Sequence, residues 1–154
     1  LPAVIGAEFP VADMSRQAIT GHSMGGHGAL IAALRNPGRY RSCSAFAPIV
    51  HPMAADWSRG AFQAYLGPDE RLWRAHDAVA LIEDGARFPE LLVDQGAADS
   101  FLADGLRPWL LEEACKAAGI PLTLHMRAGY DHSYYFVSSF MAGHLAWHAE
   151  RLRG

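Results

Sequence analysis

A chain of 154 residues is one domain's worth of polypeptide. With 51% apolar and 19% charged residues it can bury a core, which excludes an intrinsically disordered chain, and a net charge of −3 without a basic cluster argues against nucleic acid as a partner. No stretch approaches roughly 18 uninterrupted apolar residues, so no membrane-spanning helix is expected. The two cysteines, Cys43 and Cys115, are too few for a disulfide scaffold and read as buried apolar fillers, one in a strand and one on a helix.

The chain opens Leu1-Pro2-Ala3-Val4, with neither methionine nor signal peptide. That opening is expected of a sequence entering partway through an element, and any targeting segment would lie upstream. Residues 1 to 9 read as the tail of a helix ending at Phe9-Pro10, and Val11 to Ser15 as a connector. Arg16 to Thr20 is a short buried strand, and Met24 to Asn36 a helix stopped by Asn36-Pro37-Gly38. Arg41 to Pro48 is a second strand. Residues 49 to 75 show weak periodicity and carry Trp57, Phe62, Tyr65 and Trp73. They form an excursion at one end of a sheet, as fit for a substrate wall as for an aromatic cluster of their own.

His76 to Glu83 is a short helix ending at Gly85, and Glu90 to Gly96 a third strand. Ala103 to Ala118 is a helix with Leu106, Leu110, Ala114 and Ala118 on one face, closed by Gly119 and Pro121. Leu122 to Met126 is a fourth strand. Ser133 to Arg151 is the last helix, with Ser133 as N-cap and Phe136, Phe140 and Trp147 facing inward. Strands alternating with helices argue an α/β fold with a parallel sheet.

Between the first strand and the first long helix lies Gly21-His22-Ser23-Met24-Gly25-Gly26-His27-Gly28. Gly-x-Ser-x-Gly in a strand-to-helix setting is the pattern of a nucleophile elbow, which holds one serine at the apex of a strained turn. Gly21 and Gly25 are expected where a side chain would collide. Gly26 and Gly28 are expected to let the helix approach the sheet. The helix N-terminus, through the N–H of Met24, faces the charge that develops when the serine attacks.

In a parallel sheet the loops leaving the strand C-termini gather at one edge. Those loops supply Ser23, then Asp99, then His132, in the chain order expected of this architecture. A serine hydroxyl needs a base, an imidazole can take and return its proton, and a carboxylate can fix the imidazole tautomer. Asp99 is the acid chosen over three others. Asp94 lies inside a strand, Asp131 adjoins His132, and Asp104 starts a helix. Of eight histidines, His22 and His27 flank the elbow as pocket groups. His144 and His148 have i, i+4 metal-ligand spacing but no third ligand, and read as surface histidines complementing a helix C-terminus. Tyr134-Tyr135-Phe136 reads as packing.

Taken together, several blocks resemble the S-formylglutathione hydrolase family, also called esterase D. They are Gly21 to Leu30, Ser44 to Ile49, Ala61-Phe62 with Tyr65-Leu66-Gly67, Asp94-Gln95-Gly96 with Asp99 and Phe101-Leu102, and Gly129 to Phe136. The resemblance implies an α/β-hydrolase fold, here one partial domain over residues 1–154. It implies a cytoplasmic serine thioesterase that releases formate and glutathione in formaldehyde detoxification, without cofactor or metal and frequently as a homodimer. Ser23, Asp99 and His132 would be catalytic and Met24 an oxyanion-hole donor. Arg59, Arg74 and Arg107 are unranked candidates for gripping the glutathione carboxylates.

The family enzyme is nearly twice as long, so the resemblance also implies that the opening strands and the second oxyanion donor lie outside this chain. The strand at residues 16 to 20 would then be a bare edge, and the chain alone would be marginally folded and weakly active. Two other readings stay open: a general carboxylesterase or acyltransferase of the same superfamily, and a non-catalytic remnant.

Overall fold

The computed structural model describes residues 1–153. Its centre is a four-stranded parallel sheet in the order β1-β2-β3-β4, with β1 Ala18–His22, β2 Ser42–Phe46, β3 Leu91–Gly96 and β4 Leu122–Arg127. The register sets Ala18 beside Ser42, Cys43 beside Leu91, and Leu91 beside Leu122. The helices are α1 Pro2–Glu8, α2 Met24–Arg35, α3 Asp56–Leu66, α4 Glu70–Trp73, α5 Ala78–Glu83, α6 Pro108–Ala118 and α7 Tyr134–Arg153.

Side-chain alternation along the strands decides what each face holds. Cys43 and Ala45 of β2, with Leu91 and Val93 of β3, meet Leu30 and Leu34 of α2, Val79 and Ile82 of α5, and Leu111 and Cys115 of α6. Each leucine, valine or isoleucine among them stabilises by about 1.5–3 kcal/mol when fully buried. The opposite face of β2 presents Ser42, Ser44 and Phe46, all buried. Phe46 packs with Phe136 of α7 and Leu106. The serines meet histidines instead: Ser42 Oγ lies 2.7 Å from His148 Nδ1, and Ser44 Oγ 2.8 Å from His148 Nε2 and 2.9 Å from His144 Nδ1.

This interface corrects the surface reading of His144 and His148, which are 2% and 5% exposed. Trp147, expected inward, is only half-buried. Three further expectations differ. The first strand, expected buried over 16 to 20, runs Ala18–His22 with no position fully buried. The helix expected from Ala103 begins at Pro108; Leu102–Leu106 form a separate π-turn and Arg107 sits at φ 46°. Proline bars the preceding residue from the helical region and ends any helix running into it. The buried face of α6 is accordingly Pro108, Leu111 and Cys115, with Leu110, Ala114 and Ala118 at its margin. The excursion at 49–75 contains helix α3, whose one buried residue, Ser58, leaves no apolar stripe to read. Both cysteines are buried and free, Cys43 on β2 and Cys115 on α6, as expected.

Candidate active site

Ser23 stands between β1 and α2 at φ 58°, ψ −117°, a conformation that costs of order 1–3 kcal/mol. It is held there by its N–H, which donates to the Phe46 carbonyl at 2.9 Å. A Cβ at Gly21 would lie 2.1 Å from the Gly25 carbonyl oxygen, and one at Gly26 would lie 3.1 Å from Pro48 Cβ. Gly21 therefore requires glycine, and Gly26 is tight enough that a side chain would press on Pro48. Gly25 and Gly28 are not so constrained, since a Cβ there meets nothing within 4 Å; the contacts that the sequence reading placed on them fall on Gly21 and Gly26.

Asp99 lies in the turn after β3 and His132 in the loop after β4. The two loops are tied by the Ala98 N–H, which donates to the Tyr130 carbonyl at 2.9 Å. Gly96 makes this approach possible, because a Cβ there would sit 2.5 Å from the carbonyl oxygens of Tyr130 and Asp131. His132 Nδ1 is 2.6 Å from Asp99 Oδ2, and His132 Nε2 is 2.9 Å from Ser23 Oγ. A carboxylate only accepts, so Nδ1 carries the proton and Nε2 is free to accept from the serine hydroxyl. Asp99 Oδ1 accepts the Phe101 N–H at 2.9 Å, and Oδ2 also accepts from Gln95 Nε2 at 3.1 Å.

The alternative acids lie elsewhere. Asp94, fully buried, points to the α7 face and accepts from His125 Nδ1 at 2.8 Å and Arg127 Nε at 2.7 Å. Burial works against its ionisation, but His144, Arg127 and His125 hold its pKa down to about 2. Asp131 accepts from the Ser133 N–H at 2.9 Å, and the Ser133 hydroxyl, followed by that N–H, lowers its pKa. Asp104 is exposed in the π-turn.

Around the three residues the structure builds a cleft of about 310 Å³ lined by Ser23, Met24, Ile49, Trp57, Phe101, Leu106 and His132. Of the aromatic excursion, only Trp57 enters this lining. Phe62 instead packs edge-on against Trp73, with ring centroids 5.8 Å apart. The His22 ring lies 4.6 Å from that of His132, and burial, followed by His132 itself, lowers the His22 pKa. His27 turns away, its Nδ1 3.1 Å from the Ile49 carbonyl oxygen. Met24 is the first residue of α2, so its N–H has no partner within the helix.

The candidate arginines are otherwise engaged. Arg59 pairs with Glu70, Arg74 with Asp84 and Glu83, and Arg107 donates to the carbonyls of Ala103 and Ala54. None of the three lines the cleft. Among the described residues, no three His, Cys, Asp or Glu side chains form a metal site, and no helix is long and apolar enough to cross a membrane. Gln95 enters the sequence reading only within the Asp94-Gln95-Gly96 block and receives no role there; the further signal is an amide near the end of a strand that opens Leu91-Leu92-Val93.

Residues 1–149 match the family described as "Putative esterase". The chain is 53% identical over 152 residues to the S-formylglutathione hydrolase of Paracoccus denitrificans (strain Pd 1222) and 51% identical over 155 residues to that of Mus musculus, covering 99% of this chain and 54% of either relative. A solved S-formylglutathione hydrolase from Agrobacterium tumefaciens superposes with a TM-score of 0.95 at 66% identity, over 98% of this chain and 54% of that one. The chain thus spans about half the length of the relatives it matches.

Proposed function

The chain belongs to the esterase family, and from that premise we propose that Ser23, His132 and Asp99 form the catalytic triad of a serine thioesterase that hydrolyses S-formylglutathione to formate and glutathione. The observation that carries this reading is the unbroken hydrogen-bonded line from Ser23 Oγ through the His132 ring to Asp99 Oδ2. The names and identities of the relatives support the substrate.

The steps follow from the geometry. His132 Nε2 takes the hydroxyl proton as Ser23 Oγ attacks the thioester carbonyl. Asp99 stabilises the imidazolium and keeps Nδ1 as the donor. The tetrahedral oxyanion faces the Met24 N–H at the positive end of α2. The C–S bond breaks, His132 returns the proton to the glutathione sulfur, and a formyl ester remains on Ser23. Water then attacks that ester, giving a proton to His132; the acyl C–O bond breaks, His132 returns the proton to Ser23 Oγ, and formate leaves. Small acyl groups suit the apolar cleft, so the reading includes small activated esters. It extends to a cytoplasmic step in formaldehyde detoxification, needing no cofactor, and to a homodimer.

The test is hydrolysis of S-formylglutathione by the parent and by Ser23→Ala. Turnover by the parent and a loss of about 10³-fold or more in the variant are expected. Equal turnover by both would remove Ser23 as the nucleophile.

A further inference from the structure

Strand β3 is buried at every position. At its end Gln95 is fully buried, and its Oε1 has no hydrogen-bond partner among the described residues. A buried, unsatisfied amide oxygen is destabilising. Leucine or methionine would fill the same space without it. The other end of the amide accounts for its presence. Gln95 Nε2 donates to Asp99 Oδ2 at 3.1 Å and to the Gly96 carbonyl at 3.2 Å. Turning the amide over would set two acceptors against each other, so the carboxylate fixes which end faces it.

We infer that Gln95 is a positioning residue for the hydrolytic reaction, its side-chain N–H holding the Asp99 carboxylate so that Oδ2 faces His132 Nδ1. The inference rests on the triad reading above. The carboxylate is gripped at three points: by Phe101 N–H on Oδ1, and by Gln95 and His132 on Oδ2. Removing Gln95 leaves Oδ2 with the imidazole alone and the carboxylate held at two points in place of three. It also returns negative charge to the oxygen that faces the ring, which favours the imidazolium. Of the other titratable groups, His22 faces His132 from the elbow, Asp131 is turned to Ser133, and Asp94 is engaged by His125 and Arg127 on the far face.

Gln95→Leu and Gln95→Met both delete the donor, and methionine keeps the unbranched length. The readouts are S-formylglutathione kinetics and the rate at which a fluorophosphonate labels Ser23, each against pH. In both variants kcat and labelling are expected to fall about tenfold, with KM near the parent's. The ascending limb of the pH profile is expected to move up by about half a unit. Parental rates and an unmoved limb in the methionine variant would make Gln95 a packing residue and overturn the inference, as would failure of both variants to fold. Labelling of Asp99→Asn tests the reading beneath. If it is as fast as the parent, the triad reading fails and the inference with it. If it is slow while the Gln95 variants behave as the parent, the inference alone fails.

Discussion

Three side chains far apart in sequence meet here because each is placed by a different short device: a strained elbow, a turn after β3, and a loop after β4. The elbow was legible because its glycines and serine are neighbours, and the strand and helix around it have their own periodicity. The loop contact was not, because what permits it is the missing side chain of Gly96 opposite the Tyr130 and Asp131 carbonyls, 2.5 Å from where a Cβ would be. Gly96→Ala must push the loop that carries His132, and hence the 2.9 Å contact with Ser23. A displacement of about 1 Å costs on the order of 10²-fold in rate. A fall of that size in kcat, with far-ultraviolet circular dichroism unchanged, is expected. Parental kcat would mean that the loop takes up the methyl group without moving the imidazole.

Pairing between elements is where sequence reading fell short. The spacing of His144 and His148 is visible on α7, but their partners, Ser42 and Ser44, lie on β2, and no local pattern joins them. A strand with serines facing a helix with histidines buries a polar seam in place of an apolar one. Both His148 nitrogens face hydroxyls, and no carboxylate is among their hydrogen-bond partners. Burial, then His144 and Arg151, push its pKa down to about 4 from the ordinary 6.5. A folded-state pKa below the unfolded value means that the unfolded chain binds more protons between the two. This stability is therefore complete above about pH 6.5 and is lost as pH falls towards 4, a change of roughly 3 kcal/mol. His22, His27 and His76 shift in the same direction, so the seam is isolated by difference. Thermal unfolding of His148→Gln should depend less steeply on pH between 7 and 4.5 than that of the parent. Parallel slopes would show that the seam already tolerates the charge.

For the molecule as a whole, the parallel order β1-β2-β3-β4 does two things at once. It sends every strand exit to the edge where the cleft forms, and it leaves β1 and β4 as outer strands. The alternation of strand and helix made the first legible. The two edges differ in chemistry. β4 carries His125 and Arg127, of the kind that discourages edge pairing, whereas β1, Ala-Ile-Thr-Gly-His, carries no lysine, arginine or carboxylate. What the described sheet does fix is the place of the elbow: β1 pairs with β2 without a break from Ala18 beside Ser42 to His22 beside Phe46, and that register delivers the Ser23 N–H to the Phe46 carbonyl at 2.9 Å.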